Sequence, residues 1–403
     1  MSMSRRESLA ALMAAAAMVG APRIGRAEEK EIVLGAPNAL TGGFGEGGQR
    51  GVWGFLIAAD QINRQGGIKA LGGAKLRVVV ADTTTDNPTQ GASVTRRMLD
   101  QDGAVVLYGA TASAITLSAQ VEAEKSRVPI LTSSYVDALV QRGMKYTFKL
   151  TAPGSKIWDF AMDGLFDMMK AERGSPPKSC GIYMGSDAVS MSVAKSLPIE
   201  AKKIGLDVVS QVNFQGNLTD PSVVISPILQ KKPEVIFLSS FLTDAILILK
   251  TMRGLGIKTP VAAAGGISAD SAGKALGVAA DRVFMPWSWN WDLKVPGESE
   301  LVEAYKKAHA DAPYPPNNEQ LGLGYAGGMI AAQALEKAAS REGPKLRDVL
   351  ASTEFTGLPL PSPTVAFDEN GLNKHAALIL AEWSDGNAHT VWPKELQAFK
   401  PVL

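Results

Sequence analysis

Residues 104–135 read AVVLYGATASAITLSAQVEAEKSRVPILTSSY. An apolar run at 104–108 meets Gly109-Ala110-Thr111-Ala112-Ser113, an amphipathic stretch follows at 113–125, and a second apolar run at 128–131 ends in Thr132-Ser133-Ser134-Tyr135. Strand, glycine turn, helix, strand is the unit of a parallel sheet with helices packed on its faces. The pattern extends outward. Strand-like runs recur at 32–36, 76–81, 179–184, 208–214, 235–238, 260–263 and 283–285. Helical patterns fall between them at 51–64, 90–101, 157–173, 189–204, 221–231 and 244–255. Runs such as Val78-Val79-Val80 and Val105-Val106-Leu107 are apolar at successive positions, as strands buried on both faces require. The fold class is therefore α/β. About four units precede Thr151-Ala152-Pro153-Gly154 and about four follow, so this Pro/Gly stretch reads as a passage between two doubly wound, Rossmann-like lobes. Long helical patterns at 298–310 and 320–342 and strand-like segments at 364–367 and 376–383 complete the chain.

The first residues have a different plan. Arg5-Arg6, an apolar stretch at 9–19 and Gly25-Arg26-Ala27 form the charged, apolar and cleavage regions of an export signal, assigned to 1–27. Ser4-Arg5-Arg6 followed by Leu9 is similar to a twin-arginine signal. The apolar stretch is shorter than the ~20 residues of a spanning helix, and no cysteine follows it to accept a lipid. A periplasmic location is the expectation.

Charge and composition narrow the function. Lys and Arg number 41 against 40 for Asp and Glu, so no global field attracts nucleic acid. Cys180 is the single cysteine and the histidines number three, which argues against a disulfide or a thiolate or imidazole metal site. Gly42 to Gly48 approach a dinucleotide fingerprint, but Asp82 follows by about 35 residues instead of ~20. No G-x-S-x-G elbow is present. No enzyme chemistry, cofactor or metal is expected.

The hydroxyl groups at the strand ends are more informative. In a doubly wound sheet these ends face the crevice, where a helix N-terminus offers N–H groups and a favourable dipole to an anion. Ser113, Ser133, Ser134 and Tyr135 would form a carboxylate cradle without a cationic side chain. The competing reading makes Ser113 and Ser133 ordinary helix caps.

These residues, with Leu40-Thr41-Gly42, Ile62-Asn63 and Gly66-Gly67-Ile68, Asp86-x-Pro88, Gln141-Arg142-Gly143, Thr219-Asp220, Lys232-Pro233-x-Val235, Gly254-x-Gly256 and Phe367-Asp368-x-x-Gly371, resemble the branched-chain amino acid type of substrate-binding protein that serves ABC transporters. The resemblance covers the whole mature chain. It implies a type I periplasmic binding protein fold with three interlobe crossings: 28–152 with 286–358 as the first lobe, 153–285 with 359–403 as the second. It also implies a small ligand, an inner-membrane permease as partner, and, for this chain, a monomer. In such relatives the carboxylate is held at positions falling here on Ser113, Ser133 and Tyr135, with Ser134 between the last two. The acidic residue that holds the ammonium falls on Gly265, its facing tyrosine on Phe241, and an aromatic before the helix on Val189. An ammonium without a counter-charge is costly to bury, so the expected ligand is a carboxylate without an α-amine.

Three of the seven tryptophans alternate in Met285-Pro286-Trp287-Ser288-Trp289-Asn290-Trp291. In an extended segment they share one face. With Phe44, Tyr135 and Phe241, Trp287 and Trp289 could stack on a ring, giving an aromatic carboxylate as first expectation; the competing reading has them sealing the hinge. An amino acid using Asp187, Asp244 or Glu46 as counter-ion, a 2-oxo acid, and a sensor domain of the same fold stay open.

Overall fold

The computed structural model describes residues 31–403; the expected export signal lies outside them. Strands β1 (Ile32–Asn38), β2 (Leu76–Asp82), β3 (Val106–Tyr108), β4 (Ile130–Thr132) and β5 (Thr147–Lys149) form a parallel sheet in the order β2-β1-β3-β4-β5. The second sheet repeats that order with β7 (Asp207–Asn213), β6 (Ser179–Met184), β8 (Val235–Ser240), β9 (Val261–Gly265) and β10 (Val283–Trp287), then adds β11 (Ile379–Ser384) and β12 (Asn387–Trp392) antiparallel. Burial follows position in the sheet. Central β3 and β8 are buried at every residue, while edge strand β7 alternates with solvent.

In the first lobe the helices are α1 (Gly45–Arg64), α2 (Pro88–Asp100) and α3 (Ser113–Ser126). The second lobe contributes α4 (Gly154–Arg173), α5 (Ala188–Val193), α6 (Leu197–Lys203), α7 (Ser222–Lys231), α8 (Leu242–Gly254) and α9 (Asp270–Leu276). Helices α10 (Glu298–Ala308), α11 (Gln320–Ala338) and α12 (Gly343–Ser352) return to the first lobe. There α11 lies against α1 along a glycine seam: a Cβ on Gly324 would stand 1.9 Å from the Gly51 carbonyl oxygen, and one on Gly54 2.0 Å from that of Leu321. Bare backbone lets the two axes approach this closely.

Two segments lie near the expected lobe boundaries. Pro286 and Trp287 belong to β10. The Gly371 carbonyl accepts from Lys149 N–H at 2.8 Å and Asn373 N–H donates to the Lys149 carbonyl at 3.0 Å, extending the first sheet at its β5 edge. The helix expected over 189–204 is two, the second starting with Pro198 in its first turn, where a missing N–H costs nothing. The 364–367 segment makes single bridges only, Phe355 to Val365 and Phe367 to Asn373. No described helix is long and apolar enough to cross a membrane.

Candidate functional site

A cavity of about 710 Å³ lies between the lobes. Its walls come from carboxyl ends of strands in both sheets: Phe44 and Thr85 after β1 and β2, Thr111 to Ala114 after β3, Tyr135 after β4, then Ser186, Asn217, Phe241 and Gly265 from the second lobe. Doubly wound sheets place ligands at this reversal of strand order.

On the first-lobe wall the Asn38 Oδ1 at the end of β1 accepts the Thr111 N–H at 2.8 Å and fixes the turn leading into α3. Gly109 passes so close to β1 that a Cβ would sit 2.1 Å from the Pro37 carbonyl oxygen. The Ser113 hydroxyl bonds the Ser134 hydroxyl at 2.8 Å, and α3 has no side-chain cap, Ala112 holding that position. Neither Ser113 nor Ser133 is a helix cap. Consequently the N–H groups of Ser113 and Ala114 at the first turn of α3 have no partner among the described residues. Across the cavity the first turn of α8 is uncapped as well, with Phe241 at its cap and the N–H groups of Leu242 and Thr243 unpartnered among the described residues. Two helix N-termini, one per lobe, thus open on one space and favour an anion there.

The apolar side is built by Phe44 and Phe241, whose rings meet between the lobes at 5.7 Å between centroids, with Tyr135 and Ile157. The described lining holds no Lys or Arg; it holds Glu46, Asp86, Asp187 and Glu319. Asp86 is exposed, Glu46 accepts the Ser271 N–H at 3.1 Å, and Asp187 accepts the N–H and hydroxyl of Ser190. Asp244 does not line the cavity; its carboxylate accepts the N–H groups of Asn217 and Leu218. Glu319 is buried, and one oxygen accepts both the Tyr135 hydroxyl and the Ser288 N–H at 2.6 Å. Burial pushes its carboxyl up to about 7 against the pull of those hydrogen bonds and of one from the Gln320 side chain. Burial, and then the neighbouring Glu319 charge, push the Tyr135 phenol well above its ordinary value.

Of the residues expected from sequence, Phe44, Ser113, Tyr135, Phe241 and Gly265 line the cavity. Gly265 has φ +84°, and a Cβ there would stand 2.6 Å from the Ser240 carbonyl oxygen, so this backbone has no room for the acidic residue of the resembled family. Ser133 and Ser134 stand behind the wall: Ser133 donates to the Gln320 Oε1 at 2.5 Å and accepts from Tyr108, and Ser134 supports Ser113. The side chain of Val189 is not among those described.

The tryptophans correct the expectation. Trp287 is buried edge-on against Trp383 and donates to Ser268 at 2.8 Å. Trp289 is fully buried against α11, where a Cβ on Gly322 would lie 2.2 Å from its indole. Neither lines the cavity. Trp287 lies on β10, interior to the second sheet, where covered faces turn its side chain to packing, although Pro286 beside it reaches the cavity; Trp289, beyond the strand, is packed under α11.

Glu319 and Gln320, with Asn318 before them, are lining residues that the sequence reading missed. Their signal was the polar run Asn317-Asn318-Glu319-Gln320 opening a largely apolar helix, all four buried.

Known proteins share this architecture. Over 397 residues the chain is 25% identical to Leu/Ile/Val-binding protein homolog 7 of Brucella suis biovar 1, covering 96% of this chain and 95% of that one. Homolog 8 of Brucella abortus is 26% identical over 377 residues, covering 90% and 91%. A leucine-binding protein from Thermotoga maritima superposes with a TM-score of 0.76 at 21% identity, covering 90% of this chain and 98% of that one. A solute-binding protein from R. palustris in complex with benzoate gives 0.74 at 15% identity, covering 92% and 99%. The family model described as periplasmic binding protein matches residues 31–388. With two lobes and a cleft at their strand ends, the chain belongs to the periplasmic binding proteins, a solute-binding and not an enzymatic family.

Proposed function

We propose that this binding protein takes a small carboxylate with a flat apolar body and no α-amine, a benzoate being the simplest example, and delivers it to an inner-membrane ABC permease after export of the chain on the signal at 1–27. The observation that carries the reading is the pair of uncapped helix N-termini, α3 with Ser113 and α8, facing one cavity whose apolar wall is Phe44, Phe241 and Tyr135. A carboxylate suits the first, a ring the second, and Gly265 leaves the family's ammonium position without its charge. Ligand contacts to both lobes form together only when the lobes are closed, so binding favours closure.

A second reading, an amino acid, is favoured by Asp187 and Glu319 in the lining, either of which could face an ammonium. The names of the Brucella relatives agree with it. A thermal-shift comparison separates the two, because a ligand that binds only the native state raises its melting temperature. Benzoate is expected to raise it and leucine to leave it unchanged. The opposite pattern would replace the first reading by the second.

A further inference from the structure

An anionic ligand in this cavity meets Asp187, Glu46, Asp86 and Glu319 and no described lining cation. Three of these acids have partners or solvent that suit their charge: Asp187 holds Ser190, Glu46 holds the Ser271 N–H, and Asp86 stands in water. Glu319 is different. It opens α11 on the first-lobe wall that also carries Ser113 and Tyr135; the Tyr135 hydroxyl and the Ser288 N–H both donate to its Oε2, and the Gln320 side chain is a third hydrogen-bond partner.

We propose that Glu319 is the specificity-determining group of the cleft: it takes a proton from solvent as the ligand carboxylate enters, and its neutral carboxyl donates a hydrogen bond to that carboxylate. Ligand anion and proton then bind together, and the net charge of the cavity does not grow. No covalent bond changes; the proton goes to Oε1, because Oε2 is already engaged by the Tyr135 hydroxyl and the Ser288 N–H. This rests on the carboxylate reading above.

The surroundings of Glu319 suit the exchange. From the loop after β4, Tyr135 donates to it and is held protonated by burial. Behind Tyr135, Lys149 Nζ lies 5.8 Å from the ring centre and is engaged by the Thr151 and Ala152 carbonyls; burial pulls it down to about 7 although Asp137 favours its charge. From β3 comes Tyr108, also buried and raised. From the loop after β10 comes the Ser288 N–H. Glu319 itself, pushed up to about 7, changes protonation at small cost near neutral pH.

The test is titration calorimetry of benzoate with the intact mature protein from about pH 6 to about pH 8.5, each pH in two buffers of different ionisation enthalpy. Expected are buffer-dependent heats that report net proton uptake above about pH 7, and a Kd that rises by up to about tenfold per pH unit there. Glu319→Gln supplies a permanent donor in place of the neutral acid. It is expected to bind benzoate with a pH-independent Kd close to the wild-type value at low pH. A flat wild-type Kd with no buffer dependence would overturn the proposal while leaving the carboxylate reading in place. So would a folded Glu319→Gln protein that no longer binds. Failure of benzoate at every pH, with leucine binding that Glu319→Gln abolishes, would overturn both and make Glu319 an ammonium counter-charge. Should the variant fail to fold, the wild-type heats alone decide.

Discussion

The Ser113 hydroxyl contributes to the cavity and not to the end of its own helix, since it bonds Ser134 and caps nothing. Ser113→Ala is therefore expected to weaken benzoate binding by about 1.5–3 kcal/mol, the net worth of a hydrogen bond to a charged group, and to move the melting temperature of the unliganded protein little. Calorimetry on the variant, paired with a ligand-free melt, checks both parts. This residue was legible because strand, glycine turn and serine are contiguous in sequence. Glu319 was not, because it enters the wall only once α11 has folded back over α1, a contact between residues more than 250 positions apart that no local pattern encodes. Trp287 and Trp289 were misplaced for a related reason. Alternation shows which side chains share a face, but not whether that face meets a ligand or a neighbouring helix.

Among the elements, α1 and α11 depend on each other most. Gly324→Ala would drive a methyl into the Gly51 carbonyl, and since backbone cannot rotate away, a loss of about 3 kcal/mol is expected, at the high end for overpacked cores. Denaturant unfolding measures it directly. The penalty should reach the ligand too, because Glu319 holds the cap position of α11 and Gln320 its first residue. The order of strands and helices was readable because buried parallel strands are apolar at consecutive positions. Short β5 and hairpin strand β12 were not: the first has three residues, and the second carries Asn387, His389 and Thr390 in its six.

For the molecule as a whole, the lobes meet through a buried ion pair between Arg50 of α1 and Asp270 of α9, next to the Glu46 contact with Ser271. In an open form both charges regain water, so the pair acts on closure. Asp270→Asn leaves Arg50 buried without its counter-charge and is expected to weaken ligand binding by about tenfold or more, read as a faster dissociation rate. Stability should depend on pH in a direction set by the buried acids. Burial raises Glu298 to about 8, Glu382 to about 7 and Asp270 to about 6. Between the ordinary carboxylate value and these, the native state holds protons that the unfolded chain has released, so stability is full at the low end of that window and falls as pH rises through it. The melting temperature should therefore decline from about pH 5 to about pH 7, above which native Lys149, lowered by burial to about 7, loses its proton before the unfolded chain does and works the other way, and Glu298→Gln should flatten that decline.

Arg50 also lies 4.3 Å above the Trp53 ring, which stacks on His309 at 3.9 Å and meets Tyr305 at 6.0 Å. Withdrawal of Asp270 as the lobes part would release the guanidinium from its place over the indole, while Trp287 and Trp289 stay sealed in the interior. The protein thus carries its own optical gauge of opening: emission from Trp53 can be followed in stopped flow, without a dye, as ligand draws the lobes together.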